Sequence, residues 1–181
     1  MSSIGKVDTE KVEEAIRRLT EARDAGKNIY VCGNGGSAST ASHFTCDMMK
    51  CASDGKTKKF RMVNLADATA TVLAYANDID YSSVFVEQLK NFARPGDIVI
   101  GISGSGNSPN VVAAIEYANL AGCRTIALSG RDGGRIGKIA GLNINVPEAH
   151  MGRIEDCHMM VCHMICYYFT EKEKQDEAHS H

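Results

Sequence analysis

Five short apolar runs, each followed by a helix-like stretch, constrain this chain more than any other feature. They are "NIYVC" (28–32), "RMVNL" (61–65), "DIVIGI" (97–102), "RTIALS" (124–129) and "LNINV" (142–146). Runs of four to six apolar or β-branched residues suit strands buried on both faces. Between them lie helical patterns over 37–49, 67–76, 81–93 and 108–120, and a glycine-rich connection over 130–141 with at most a short helix. An amphipathic helix over 8–25, with Val12, Ala15, Ile16, Leu19 and Ala22 on one stripe, precedes the first strand and is stopped by Gly26. A last helix is expected from about Arg153 to Phe169. Alternation of this kind requires right-handed crossovers and a parallel sheet with helices on both faces. The expectation is an α/β three-layer sandwich, Rossmann-like, with a five-stranded parallel sheet. One domain over 1–172 fits the 181 residues, with a polar, disordered tail over 173–181.

Charge and composition exclude several classes. A net charge of -2 gives no footprint for nucleic acid. No apolar run is long enough to span a bilayer, and the N-terminal stretch lacks the apolar core of a secretory signal. Seven cysteines, an odd number with no CxxC pair, read mostly as small buried apolar residues in a reducing, cytoplasmic compartment.

In parallel sheets ligands gather at the carboxyl ends of the strands. Two donor-rich loops fall there. "SGSGNS" (103–108) follows the third strand, and its Ser103, Gly104, Ser105 and Ser108 can surround an anion at a helix N-terminus. It lacks the lysine of a nucleotide P-loop and the spacing of a dinucleotide fingerprint. An ordinary turn, with Ser108 as N-cap and Pro109 at the first helical position, leaves Ser103, Ser105 and both glycines without a role. "GNGGS" (33–37) has the same layout: Asn34, Gly35, Gly36, and Ser37 as a helix cap. Two such loops on one edge suggest a phosphorylated, hydroxyl-rich ligand between them.

His43 and Asp47, four apart, share a helix face. They can hold a metal or act as an acid and base, or form an ordinary surface pair. The last helix, "RIEDCHMMVCHMICYYF", is apolar on most sides and is expected to be buried. Its Glu155, His158, Cys162 and His163 then need partners. His158 reads as a satisfied core histidine. Glu155 could pair with His158 or Cys162 more easily than with His163, since eight residues span roughly 12 Å of helix.

With "CGNGGSASTASHF", "ANDIDYSSVF", "GDIVIGISGSGNSPNVVAAIEYA", "IALSGRDGG" and "RIEDCHMMVCH" in family order, the chain resembles the sugar isomerase (SIS) domain family. That resemblance implies a homotetramer with active sites between subunits. It also implies interconversion of a ketose phosphate and an aldose phosphate through an enediol, with sedoheptulose 7-phosphate the expected substrate. By position it puts sugar contacts on Asn34, Gly35, Gly36, Asn77 and Asp78, and phosphate contacts on Ser103, Gly104, Ser105 and Ser108. Zinc ligands fall on His43, Asp47, Glu155 and His163, and the acid/base pair on Asp47 and His163. The chain departs from the family at Asp47, where glutamate is usual, and at Glu155, where glutamine is usual; an acidic residue is replaced by Gly152 and an arginine by Cys51. A second carboxylate on the ion would give a tighter, less Lewis-acidic site. The departures also leave open an isomerase of another phosphosugar, or a binding protein without turnover.

Overall fold

The structure, a computed structural model, describes residues 3–178, with side chains through residue 171. The end of the expected polar tail, 179–181, lies outside the described residues. Five strands, β1 (Asn28–Gly33), β2 (Arg61–Asn64), β3 (Ile98–Ser103), β4 (Arg124–Gly130) and β5 (Leu142–Val146), form one parallel sheet in the order β2-β1-β3-β4-β5. Strand β1 pairs with β2 on one side and β3 on the other, with Val31 opposite both Asn64 and Ile100. The strand order reverses here: one crossover leads from β1 outward to β2, the next returns past β1 to β3. This is the switch point at which open α/β sheets leave a crevice beyond the strand ends.

Helices α1 (Thr9–Asp24), α2 (Gly36–Lys50) and α7 (Met151–Ala178) cover one face. The other carries α3 (Thr69–Asp78), α4 (Val86–Phe92), α5 (Pro109–Leu120) and α6 (Gly134–Ile139). The period-two alternation of strand side chains divides β1 between two cores. Ile29 and Val31 pack with Leu19, Phe44, Met48 and Val161, while Tyr30 and Cys32 pack with Phe85, Leu89 and Ile115. The first helix has the expected stripe, with Val12, Ala15, Leu19 and Ala22 buried. Asp8 caps it by accepting from the Glu10 N–H, and Gly26 at φ +64° ends it.

Three local expectations change. The 81–93 stretch is not one helix but a 3-10 turn over Tyr81–Ser83 followed by α4. Asp80 breaks it, since its carboxylate accepts from the Ser83 N–H and restarts the chain. Helix α7 starts at Met151 and continues to Ala178, past the expected end at Phe169. It is also one-sided: Ile154, Cys157, Val161, Cys162, Ile165, Cys166 and Phe169 are buried, while Met160, Met164, Tyr167 and Tyr168 are exposed. The described residues therefore cover one side of this helix only. All seven cysteines are free; five are buried, and Cys46 and Cys51 are exposed.

Candidate functional site

Both donor loops end at the switch-point crevice, one after β1 and one after β3. Asn34, Gly35, Gly36 and Ser37 line a cavity of about 270 Å3 together with Ser103, Gly104, Ser105, Ser108, Met151 and Glu155. The serine hydroxyls converge: Ser103 Oγ is 3.0 Å from Ser108 Oγ and 3.4 Å from Ser105 Oγ. Ser108 is the N-cap of α5 with Pro109 next, yet its hydroxyl makes no capping bond. It is turned toward the loop instead. That orientation separates a ligand-facing serine from a plain capping one. The loop's shape depends on Gly106. Its φ is +68°, and a Cβ there would stand 2.2 Å from the Gly133 carbonyl oxygen. Only glycine meets both conditions.

On the other loop the expected cap changes. Helix α2 begins at Gly36, and the N-cap is Gly35 at φ +53°, with no side-chain bond. Ser37 is already inside the helix, and its backbone N–H donates to the Asn34 carbonyl. The left-handed step at Gly35 makes the turn that a serine cap would otherwise have made.

Helix α7 reaches the cavity from the far end of the sequence. Its start is fixed by Glu148, whose carboxylate accepts from the backbone N–H groups of Ala149 and His150, from the Arg153 guanidinium and from the Ser3 hydroxyl. Arg153 foremost, with these other donors, holds the Glu148 carboxyl well below the usual carboxylate range. So anchored, α7 lays Met151 over Gly104 and Glu155 over Gly36. A Cβ on Gly36 would lie 2.4 Å from the Glu155 Oε1.

Two turns further along both helices, α2 and α7 meet again. His43 Nε2 lies 2.9 Å from His163 Nε2, and Asp47 Oδ2 lies 3.2 Å from the first and 3.8 Å from the second. Tetrahedral ligands about 2.0–2.1 Å from a zinc-sized ion stand roughly 3.3 Å apart, and the three edges bracket that value. Two imidazoles and a carboxylate are a fitting donor set for a divalent ion. These three residues form the group of potential metal ligands among the described residues. Without an ion, one imidazole must donate its proton to the other for the pair to be attractive.

The cluster takes three of the four expected ligands. Glu155 is not in it; its carboxylate lies against Gly36, on the cavity side, because eight residues of helix separate it from His163. The rival partners on α7 are committed elsewhere. His158 is buried and its Nε2 donates to the Ser129 carbonyl at 3.0 Å, with burial pushing its pKa down. Cys162 is buried, which pushes its thiol far above the ordinary range. Asn77 and Asp78 do not reach the cavity lining. They are exposed at the end of α3, and the Asn77 amide donates to the Asp78 carboxylate at 2.8 Å. Sequence reasoning passed over Tyr81, from the same "ANDIDYSS" stretch, whose hydroxyl donates to Asn34 Oδ1 at 3.0 Å.

With this geometry in hand, comparison with known proteins is decisive. The family model described as the SIS domain matches residues 1–130. The chain belongs to the SIS domain family. Among SIS relatives, a phosphoheptose isomerase of Citrifermentans bemidjiense is 41% identical over 159 residues, covering 86% of this chain and 80% of the relative. A phosphoheptose isomerase of Akkermansia muciniphila is 38% identical over 159 residues, covering 86% and 82%. The solved structure of phosphoheptose isomerase from Neisseria gonorrhoeae superposes with a TM-score of 0.82 at 33% identity, over 88% of this chain and 85% of that one. The expected SIS fold is therefore the fold observed. No helix among the described residues is long and apolar enough to cross a membrane.

Proposed function

We propose that this SIS protein is an aldose-ketose isomerase that interconverts sedoheptulose 7-phosphate and the corresponding aldose heptose 7-phosphate. The observation that carries the reading is the pair of sites along α2 and α7. The serine-lined cavity sits at one end, and the His43, Asp47 and His163 cluster lies seven to eight residues further along, roughly 10–12 Å away. An extended sugar phosphate of many carbons bridges that span. A triose phosphate does not. Relatives named phosphoheptose isomerases, alike over more than four-fifths of the chain, support the same substrate.

In this reading Ser103, Ser105 and Ser108 hold the phosphate with Gly104. Asn34, Gly35, Gly36, Ser37 and Glu155 take the sugar hydroxyls. At the reacting end, one of Asp47 and His163 removes the proton from C1 of the ketose while the other delivers a proton to the carbonyl oxygen at C2, giving the enediol. The reverse transfers, a proton off the C1 hydroxyl and a proton onto C2, give the aldose. An imidazole nitrogen can accept or donate a proton, so His163 can take either role. Zinc, or another divalent ion, held by His43, Asp47 and His163 would polarise the carbonyl oxygen; His163 Nε2 has no lone pair for a proton while it holds the ion, so proton transfer by His163 requires the ion to leave it.

We read the working unit as an oligomer, a tetramer by family resemblance. Helix α3 has no fully buried side chain in the protomer, and Leu73 and Ile79 on and beside it are 63% and 58% exposed. The His43 and His163 side chains are 48% and 41% exposed, so the cluster opens to the side where a second subunit would close it. The cytoplasm suits the free thiols.

The test is a panel of ketose phosphates incubated with the purified protein, with and without a chelator. Turnover of the seven-carbon ketose phosphate, lost on chelation and restored by zinc, is the expected result. Turnover of a shorter ketose phosphate alone would replace the substrate, and turnover of none would remove the enzyme reading.

A further inference from the structure

Asn34 is tied into a hydrogen-bonded set drawn from three elements at the switch-point crevice. Its Nδ2 donates to Asn110 Oδ1 at 2.8 Å, and the Asn110 Nδ2 donates back to Asn34 Oδ1 at 2.9 Å. The Tyr81 hydroxyl reaches the same Asn34 Oδ1 at 3.0 Å, and the Val111 backbone N–H reaches Asn110 Oδ1 at 3.0 Å. Asn110 is 1% exposed, whereas Tyr81 is 56% exposed.

The directions of these bonds follow from one atom. Val111 lies in the first turn of α5, where a backbone N–H has no partner inside the helix and can only donate. The Asn110 atom facing it must be the oxygen. The Asn34 atom facing that oxygen must then be the nitrogen, and the reciprocal bond runs from Asn110 nitrogen to Asn34 oxygen. Tyr81, meeting an oxygen, must donate. Both lone pairs of Asn34 Oδ1 are thus occupied, as is one of its two N–H bonds. One N–H remains.

We propose that Tyr81 and Asn110 are positioning residues that lock the Asn34 amide as a single N–H donor toward an oxygen of the bound sugar phosphate. This rests on the isomerase reading of the crevice. A tyrosine so exposed has little packing reason to be held on this spot, and the turn that carries it is fixed by Asp80 accepting from the Ser83 N–H at 3.0 Å. A locked donor distinguishes a ligand that offers an oxygen there from one that lacks it, because the amide cannot turn its own oxygen outward without breaking three bonds. An unlocked asparagine could present either end.

A double-mutant cycle between Tyr81→Phe and Asn34→Ala tests the proposal, with kcat and KM read for sedoheptulose 7-phosphate. Tyr81→Phe keeps the ring and removes only the donor, and Tyr81 is exposed, so folding is spared; Asn110 is too buried to serve. The expected result is a KM about fivefold higher, the size of one net hydrogen bond, with kcat within about twofold of wild type and no further change in the Asn34→Ala background. No effect of Tyr81→Phe, or an equal effect in both backgrounds, overturns the proposal. The side-chain amide signals of Asn34 in the ligand-free protein provide a second readout that needs no substrate. Tyr81→Phe should move them while leaving the melting temperature in place. If the wild-type chain turned over no sugar phosphate, the isomerase reading would fall, and Asn34 amide signals indifferent to Tyr81→Phe would separately overturn the lock.

Discussion

The Nε2 atoms of His43 and His163 lie 2.9 Å apart across 120 residues of chain. Two helices that begin at the same crevice bring them together. Helix α2 leaves β1 through the Gly35 turn, and α7 is anchored by Glu148; packed side by side, they deliver Asp47 to the same spot. The isomerase account makes this meeting the reacting end. His163→Gln and Asp47→Asn should each lower kcat by about 10²–10⁴, the usual contribution of a positioned acid or base. The melting temperature should move little, since His163 is 41% exposed and neither change opens a core cavity. Steady-state kinetics beside thermal melts would check this, and near-wild-type kcat in both variants would remove the proton-transfer role.

Ser108 separates binding from capping. Its hydroxyl faces Ser103 and makes no cap bond, so Ser108→Ala should cost less than the ~1 kcal/mol of a lost N-cap. KM for the sugar phosphate should rise about tenfold, as for a lost hydrogen bond to a charged group. Denaturant melts and KM on the same preparation would distinguish the two. A large stability loss with unchanged KM would return Ser108 to an ordinary cap.

Glu155 lies over Gly36 and outside the three-residue cluster. The sequence-based expectation of a fourth, tightening carboxylate ligand therefore lacks its geometry. Glu155→Gln should leave bound metal per chain unchanged, whereas His43→Ala should lower it. Metal analysis of both variants after dialysis checks the pair; a loss of metal in Glu155→Gln would return this carboxylate to the ion.

His158 gives a pH prediction with a definite sign. Burial lowers its folded pKa below the ordinary value of 6.5, against a smaller opposing pull from the Ser129 carbonyl. Below pH 6.5 the unfolded chain then binds a proton that the folded chain does not, so this group's contribution to stability is intact above about pH 6.5 and declines as the pH falls. His158→Gln keeps a donor for Ser129 and removes the titration. Its stability should fall less steeply than wild type between about pH 6.5 and 5 in denaturant melts at stepped pH. Parallel slopes would mean that His158 titrates normally in the fold.

Much of this was legible in the sequence because it is local or periodic. The apolar runs mark all five strands, and Val12, Ala15, Leu19 and Ala22 mark the first helix face. The serine loop and its position after β3 follow from composition and order. What pairs across the chain was not legible from spacing: the choice of His163 over His158 or Cys162 depended on family resemblance, and in the structure it follows from packing of α2 on α7. Glu155 was joined to His163 by resemblance alone, against a helix rise of roughly 12 Å between them, and in the structure it lies over Gly36, outside the cluster. Asn77 and Asp78 were expected at the sugar by family resemblance alone, and Tyr81 was not weighed; the turn at Asp80 brings the tyrosine to Asn34. The exposed Met164 and Tyr168 were expected to be buried because hydrophobicity alone does not say whether cover comes from the same chain.

The most direct measurement follows sedoheptulose 7-phosphate with the wild-type protein in deuterated water by NMR. The account predicts appearance of the aldose phosphate with deuterium entering at the carbon that gains the proton, and loss of both signals in His163→Gln. Tight binding of the sugar phosphate with neither conversion nor exchange would contradict it.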